Sequence, residues 1–354
     1  MGEDDALPLE GSVGTRRLFV LWVSGKAMAA IRYGIAGRPV QHSLSPLLTA
    51  LVAQHLGLPW DDKRLSMELV DVTNITDALA WGYAGGIPSP LPWTYTRSEF
   101  GKFRTSALIK RAVEAAAQIV ESHPDLASEA SVSSSIGATA QGLPTRMFDE
   151  EIWLNLTAPL KHQLDSSAVM AIDDSMKTKS VNALRWDGKG WWCAGLDGLG
   201  VVDVLAHHGY HPSTHVLGLV GGGGGARSTA MEWTTRGGAL HAMESRRPLE
   251  EGEWTSHLTD DSPAAIVDFD GTSSPEEQGP LLLKAAYSPM TGSLQRRIDT
   301  INQPSLDGRW LLVAQHLACW RLLWMPERAN ELPSMGLLMT RLLEAESVLE
   351  DYTK

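Results

Sequence analysis

Cysteine is scarce in this chain of 354 residues, where only Cys193 and Cys319 occur. Two cysteines are too few for a disulfide framework and are typical of a reducing compartment. The triplet Asn155-Leu156-Thr157 has the pattern of an N-glycosylation acceptor, which would require a secreted protein. The lack of cysteine argues against secretion. We therefore expect a cytoplasmic protein in which Asn155 carries no glycan.

The chain also lacks an excess of basic residues and any long apolar run. Its formal net charge of -12 excludes general affinity for nucleic acid or an anionic membrane surface, because both need a basic face. No run approaches the ~20 apolar residues of a membrane span. The apolar run at residues 18–23 is shorter than the core of a secretory signal. We expect residues 1–27 to be a poorly ordered extension before the domain that opens at Met28.

The composition is that of a globular protein, with 43% hydrophobic and 20% charged residues. At about 150 residues per domain, the length favours two domains. Enzyme, binding module and scaffold all remain possible at this level.

The first half alternates strand and helix patterns. Residues 31–40 predict a strand, and Ser45 followed by Pro46 predicts a helix with Ser45 as its N-cap. A second strand and helix follow, and this β-α-β-α order predicts a parallel sheet. Residues 82–145 interrupt it, with a helix predicted at 105–122. We interpret them as an insertion that covers a cleft; a dimer contact and a surface lobe are the alternatives.

The alternation resumes after the insertion. Residues 152–154 predict a strand, 180–195 a hairpin-like pair of strands, and 199–207 a helix. From residue 215 a second unit begins with a strand, a glycine turn, a helix and another strand. The segments at 308–324 and 336–352 predict two amphipathic helices rich in leucine and tryptophan.

The glycine run in the second unit fits G-x-G-x-x-A. It comprises Gly221, Gly222, Gly223, Gly224, Gly225 and Ala226. Flexible low-complexity sequence is the alternative, but the run lies between a strand and a helix. In this context the glycines allow a tight turn, and the helix N-terminus favours a diphosphate. The run therefore predicts dinucleotide binding.

The residues that determine the preference for NAD or NADP are expected about 20 residues after the glycines. Glu244 there suits the ribose hydroxyls of NAD, whereas Arg246 and Arg247 suit the 2′-phosphate of NADP. A solvated charge cluster is a third interpretation, and the spacing leaves all three open.

Hydride chemistry needs a proton donor or acceptor beside the reacting oxygen. Lys161 is the candidate in the first half, because an ammonium group can hydrogen-bond a developing alkoxide. Asp197, at the predicted start of a helix, is its expected carboxylate partner. Taken alone, each residue is more often a surface charge.

Seven short motifs follow one another along the chain: SLSP (43–46), NLTAPLK (155–161), SVNA (180–183), GLDGLG (195–200), GGGGGAR (221–227), YSPMTGSL (287–294) and LLVAQ (311–315). Together, in this order, they resemble the pattern of the shikimate dehydrogenases. The resemblance implies that Ser43 and Ser45 bind the substrate carboxylate. It implies that Thr157, Asn182, Tyr287 and Gln315 contact the carboxylate or ring hydroxyls, and that Lys161 and Asp197 form the catalytic pair.

The chain departs from the family pattern at four places. These are Thr49-Ala50 for His-Asn, Gly195-Leu196 for Asn-Thr, Glu244-Ser245-Arg246 for Asn-Arg-Thr, and Lys284 for an acidic residue. The changes bear on cofactor preference and substrate detail, and they leave the Lys161–Asp197 pair intact.

The expectation is an α/β protein of two domains. Residues 28–196 would form an α/β substrate domain with a parallel sheet. The C-terminal helices, in residues 306–354, would return to this domain and complete it. Residues 197–305 would form a Rossmann-like NADP-binding domain. We expect an NADP-dependent shikimate dehydrogenase, a monomer or homodimer, without metal and without a nucleic-acid or membrane partner. An NAD-dependent quinate/shikimate dehydrogenase and a non-catalytic ligand-binding or regulatory relative are the alternatives.

Overall fold

The computed structural model describes residues 30–58, 64–84, 93–94, 103–104, 106–128, 150–275 and 279–351. The predicted extension at 1–27, Met28 and much of the insertion lie outside the described residues. The strands are β1 Ala30–Gly37, β2 Leu65–Asp71, β3 Trp93–Thr94, β4 Phe103–Arg104, β5 Glu150–Leu156, β6 Val169–Ala171, β7 Ala183–Trp186, β8 Trp191–Ala194, β9 Val216–Val220, β10 Ala239–Ala242, β11 Ala265–Asp268 and β12 Leu281–Lys284. The helices are α1 Ser45–His55, α2 Ile75–Ala84, α3 Ser106–Ala116, α4 Ser175–Thr178, α5 Asp197–His207, α6 Gly224–Thr235, α7 Leu294–Asn302, α8 Arg309–Cys319 and α9 Met335–Asp351.

The first half forms a six-stranded sheet in the order β2-β1-β5-β7-β8-β6. Its strands β2, β1 and β5 are parallel, as predicted, but β7 runs antiparallel to both β5 and β8. The parallel part agrees with the predicted β-α-β-α order, β7 and β8 form the hairpin predicted at 180–195, and the sheet as a whole is mixed. The β7–β8 hairpin has a tight turn, in which Asp187 accepts hydrogen bonds from the backbone N–H groups of Lys189 and Gly190. Such a short connection joins antiparallel strands, because a parallel crossover needs a dozen or more residues.

The second half forms a four-stranded parallel sheet in the order β10-β9-β11-β12. The glycine turn, residues 221–225, follows β9, and α6 begins within it at Gly224. The predicted strand–turn–helix–strand unit is thus present. It places the glycine turn at the carboxyl ends of the strands, where open parallel sheets bind their ligands.

The C-terminal helices return to the first sheet, as predicted. Trp324 stacks on Trp153 of β5 with ring centroids 5.4 Å apart, and Trp320 meets the same ring edge-on at 5.0 Å. A buried ion pair between Arg185 and Glu151 lies beside them, and Arg185 also donates to the carbonyl oxygen of Leu323. This aromatic cluster joins α8 and the residues after it to the six-stranded sheet.

Helix α1 starts differently from the prediction. Leu44 is its N-cap, and Ser45 is already the first residue of the helix. The backbone N–H of Ser45 instead donates to Ser43 Oγ at 3.2 Å. The N-cap prediction for Ser45 is therefore wrong, because Ser43 accepts that bond.

The described part of the insertion contains α3, which is shorter than the predicted 105–122 helix. Its apolar face packs on α9 and α1, and Ile109, Ala112, Val113 and Ala116 are buried there. α3 is therefore part of the core. Among the helices in the described ranges, none is long and apolar enough to cross a membrane.

Candidate active site

A cavity of about 260 Å³ lies between the two sheets and receives side chains from both halves of the chain. The substrate and catalytic residues predicted from the sequence all line it: Ser43, Ser45, Thr157, Lys161, Asn182, Asp197, Tyr287 and Gln315. Their positions span nearly the whole described chain. Folding therefore brings the separate motifs into one site.

Lys161 and Asp197 form an ion pair in this cavity. Lys161 Nζ lies 3.0 Å from Oδ1 and 2.8 Å from Oδ2 of Asp197. The Asp197 carboxylate is almost completely buried, whereas the Lys161 side chain is 31% exposed. A buried carboxylate needs paired charge and hydrogen bonds, and the lysine supplies both. The ammonium group remains accessible at the cavity side.

Two amides complete the surroundings of Asp197. Asn182 Nδ2 donates to Oδ1 at 2.7 Å, and Gln315 Nε2 donates to the same oxygen at 2.6 Å. Asp197 is also the first residue of α5, where the helix dipole favours a negative charge. These contacts fix the carboxylate, so that it holds Lys161 in one position.

The glycines of GLDGLG explain how three helices meet at Asp197. A Cβ at Gly198 would collide with the backbone carbonyl of Ser228, so α5 and α6 touch closely there. A Cβ at Gly200 would lie 2.9 Å from Cγ of Gln315, closer than real contacts allow. Glycine at these positions therefore allows both α6 and Gln315 to approach the Lys161–Asp197 pair closely.

Thr157 reaches the cavity because Gly37 gives it room. Gly37 has φ +146°, and a Cβ there would collide with Cγ2 of Thr157. The backbone N–H of Thr157 donates to the carbonyl of Ala36 at 2.8 Å. The end of β1 and the NLTAPLK segment therefore pack directly together. This contact holds Thr157 at the cavity, which Lys161 also lines.

Ser43 and Tyr287 meet at another side of the cavity. The Tyr287 hydroxyl accepts a hydrogen bond from the backbone N–H of Leu44 at 3.3 Å. Burial raises the pKa of Tyr287, which keeps the phenol protonated and able to donate. Together with Ser45, these side chains offer hydroxyl donors of the kind that bind a carboxylate.

The cavity is also lined by residues to which the sequence analysis assigned no role, among them Asn155, Phe269 and His316. Asn155 is 8% exposed, accepts from the Tyr33 hydroxyl at 2.8 Å and donates to the Asn182 carbonyl at 3.3 Å. Its burial is incompatible with a glycan. The NLTAPLK motif contained this residue, so a signal was present; Phe269 and His316 belong to no recognised motif.

His316 follows Gln315 on α8 and is 2% exposed. Neither of its ring nitrogens has a hydrogen-bond partner within the described ranges. Burial lowers the pKa of His316 to about 3, so the imidazole is neutral. Its neighbour is the ring of Trp324, with centroids 6.0 Å apart.

The glycine turn has the geometry of a diphosphate site. Gly221 has φ +120°, and Gly223 has open space where a Cβ would be. Ala226 is buried beneath the turn, and the first turn of α6 begins directly after Gly223. A helix N-terminus of this kind binds anionic groups through its free N–H groups. The residues present therefore fit a dinucleotide.

Arg227 fixes this turn to the first half of the molecule. Its guanidinium donates to the carbonyl oxygens of Thr178 at 2.8 Å and Lys179 at 3.4 Å, and to that of Gly222 at 2.9 Å. Lys179 and the next residues lead directly to Asn182 in the sequence. Hydrogen bonds from Arg227 therefore join the glycine turn to the segment that leads to Asn182.

The residues predicted to choose the cofactor lie after β10. Glu244, Arg246 and Arg247 are exposed there. Arg246 contacts Asp270, which follows β11. The cluster lies beside the glycine turn, since a Cβ at Gly222 would collide with the backbone carbonyl of Pro248.

Comparisons with known proteins agree with these motifs. No protein-family model matches the chain. The shikimate dehydrogenase (NADP(+)) of Methylibium petroleiphilum is 27% identical over 202 residues, covering 56% of this chain and 48% of that protein. The corresponding protein of Natronomonas pharaonis is 25% identical over 192 residues, covering 48% of this chain and 71% of the relative. The match thus spans about half the length of the Methylibium protein.

A solved structure has a similar fold. The shikimate 5-dehydrogenase of Thermus thermophilus, in complex with shikimate, has a TM-score of 0.51 with this chain at 19% identity. The match covers 88% of this chain and 97% of that one. This chain resembles the shikimate dehydrogenases in sequence and in fold. The shikimate dehydrogenase fold, here with a six-stranded mixed sheet and a four-stranded parallel sheet, is thus the fold of this protein.

Proposed function

We propose that this protein is an NADP-dependent shikimate dehydrogenase, which reversibly reduces 3-dehydroshikimate to shikimate. The observation that carries the proposal is the Lys161–Asp197 pair, with Nζ–O distances of 2.8 and 3.0 Å, in a cavity between the two sheets. The relatives that carry this name, and the hydroxyl and amide groups around the pair, support it.

In the reduction, the ring carbonyl oxygen gains negative charge as a hydride reaches its carbon. Lys161 donates a hydrogen bond to that oxygen and then a proton, so that the carbonyl becomes a hydroxyl. In the oxidation, Lys161 accepts the proton back. Asp197 holds the ammonium group in place, and Asn182 and Gln315 hold Asp197.

The other cavity residues would orient the substrate. Ser43, Ser45 and Tyr287 offer hydroxyl groups to its carboxylate, and Thr157 and Asn182 offer donors and acceptors to its ring hydroxyls. Fixing the acid group fixes the ring, so that only one ring oxygen reaches Lys161.

NADPH, when bound, supplies the hydride. The glycine turn would hold its diphosphate, and Arg246 and Arg247 would hold its 2′-phosphate. An NAD-dependent quinate/shikimate dehydrogenase is the second candidate, because the exposed Glu244 also follows β10 and suits unphosphorylated ribose.

A non-catalytic relative is less well supported, because a simple binding protein has no need for a buried carboxylate held by Asn182 and Gln315 beside a lysine. We further propose the domain division stated above, 28–196 with 306–354 and 197–305, which agrees with the two separate sheets. We also propose a monomer or homodimer in the cytoplasm; the two buried free thiols support a reducing compartment.

The test is an assay of the purified protein with shikimate and either NADP or NAD, followed by nicotinamide absorbance. We expect reduction of NADP. Faster reduction of NAD would support the second candidate, and reduction of neither cofactor would exclude both enzymes. Quinate in place of shikimate separates the two substrates in the same assay.

A further inference from the structure

Arg246 and Asp270 form a pair across the end of the second sheet. The backbone N–H of Arg246 donates to Asp270 Oδ2 at 2.8 Å, and Nη2 donates to the Asp270 carbonyl at 2.8 Å. Nη2 also lies 3.6 Å from Oδ1. The Arg246–Asp270 pair therefore combines a charge contact with backbone hydrogen bonds.

This pair spans the glycine turn. Arg246 follows β10 and Asp270 follows β11, and these strands lie on either side of β9, which the turn follows. A Cβ at Gly221 would lie 3.6 Å from Asp270 Oδ1. A carboxylate thus lies beside the turn that suits a diphosphate, and the guanidinium opposite it is the group suited to a 2′-phosphate.

The two partners differ in how firmly they are held. The Arg246 side chain is 72% exposed, whereas that of Asp270 is 13% exposed. The backbone N–H of Asp270 donates to the buried Asp268 at 2.8 Å. The side chain of Asp270 is thus held in place, whereas the guanidinium of Arg246 can change its partner. An exposed ion pair of this kind contributes little to stability.

We propose that Asp270 is a specificity-determining residue for the cofactor, because it competes with the 2′-phosphate of NADP for Arg246. The proposal rests on the proposed use of NADP. A phosphate accepts paired hydrogen bonds from a guanidinium and displaces the weaker carboxylate contact. A ligand without the 2′-phosphate leaves the Arg246–Asp270 pair in place. Asp270 thereby sets how tightly the phosphorylated cofactor is held.

Calorimetric titration tests this without turnover. The probes are adenosine 2′,5′-bisphosphate, which carries the 2′-phosphate, and adenosine 5′-diphosphate, which lacks it. We expect Asp270→Asn, which keeps an acceptor for the backbone, to increase the affinity for the bisphosphate by about two- to fivefold relative to the diphosphate. The ratio matters, because removing a carboxylate strengthens the binding of any anion.

The controls use the two neighbouring arginines. In an Arg246→Gln background, Asp270→Asn should no longer change the ratio. In an Arg247→Gln background the gain should persist. An unchanged ratio in Asp270→Asn, or a gain that survives Arg246→Gln, overturns the proposal.

The outcomes also separate this proposal from the proposed function. If the unaltered protein binds neither probe, the proposal and the use of NADP fall together. If it binds the bisphosphate but Asp270→Asn has no effect, only the role of Asp270 falls. If binding follows expectation and shikimate is not oxidised, only the proposed reaction falls.

Discussion

The ring of Phe269 lies against Gly225 and occupies the space that a side chain at this position would need. A Cβ at Gly225 would be 2.6 Å from Cε1 of Phe269. Both residues line the cavity, one at the end of β11 and one in the first turn of α6. Glycine is therefore required at position 225, because the ring of Phe269, which follows β11, occupies the space of a side chain there.

Gly225→Ala should destabilise the protein by about 1–3 kcal/mol, because the ring must move out of a packed position. The free energy of unfolding in urea measures this. Adding Phe269→Ala should cancel the clash, so that the double variant loses less stability than the two single changes predict. Strict additivity would show that the ring and Gly225 do not interact.

Gly223→Ala is the matched control for that comparison. Gly223 has open space at the Cβ position and a φ of -74°, which any residue adopts. Its replacement should leave the free energy of unfolding nearly unchanged. A loss as large as that of Gly225→Ala would point to the glycine run as a whole instead of Phe269.

Lys161→Ala should reduce kcat by about 10²–10⁴-fold, the usual contribution of a general acid or base. Steady-state rates with shikimate measure it. Lys177→Ala is the control, because Lys177 is exposed and pairs with Asp174 and Glu253 instead of a cavity residue. Near-normal turnover of Lys161→Ala would contradict the assigned mechanism while leaving the fold untouched.

Gly200→Ala should act on the active site through Gln315. A Cβ at residue 200 needs the space of Gln315 Cγ, 2.9 Å away, so the 2.6 Å bond from Gln315 to Asp197 should lengthen. Misplacing a catalytic group in this way can reduce kcat about 10²-fold. Gly190→Ala, in the β7–β8 turn where the nearest atom is 3.7 Å away, should keep full activity.

His316 should make the protein sensitive to acid. Its pKa is about 3 in the folded state and about 6.5 in the unfolded chain. The unfolded chain therefore binds more protons in this range, and the free energy of unfolding falls as the pH is lowered from about 6.5 towards 3. Between pH 6.5 and 4.5 this effect amounts to about 2 kcal/mol.

His316→Leu should lose that part of the pH dependence. Urea unfolding at both pH values gives the difference between variant and unaltered protein, in which the other titrating groups cancel. His257→Leu, at an exposed position, should retain the full dependence. If His316→Leu loses as much stability on acidification as the unaltered protein, the imidazole is not buried as described.

Much of the site could be predicted because its motifs are local. NLTAPLK, GLDGLG and the glycine run each contain the turn, cap or helix start that they specify. The pairing of Lys161 with Asp197 followed from chemistry and resemblance, and the structure gives the 2.8 Å contact. Residues that lie within these motifs could therefore be predicted from the sequence.

Contacts between distant segments could not be predicted where no motif marks the residues. Phe269 meets Gly225 only because β11 lies next to β9, and nothing in either local sequence indicates it. His316 has the helical spacing of a core residue, and its lack of partners depends on what surrounds it. The antiparallel β7 was missed because a hairpin pattern gives the direction of its own two strands, but not their direction relative to β5.

The cross-link made by Arg227 has a mechanical consequence. It ties the glycine turn to Thr178 and Lys179 by hydrogen bonds of 2.8 and 3.4 Å, and Tyr287 accepts a hydrogen bond of 3.3 Å from the backbone N–H of Leu44 at another side of the cavity. We expect the two halves to pivot at Arg227 and to part at Tyr287. Hydrogen exchange should then be faster at the Leu44 amide than at the amide of Arg227. On this expectation substrate would enter and leave past Tyr287, while the glycine turn would keep its contacts with Thr178 and Lys179.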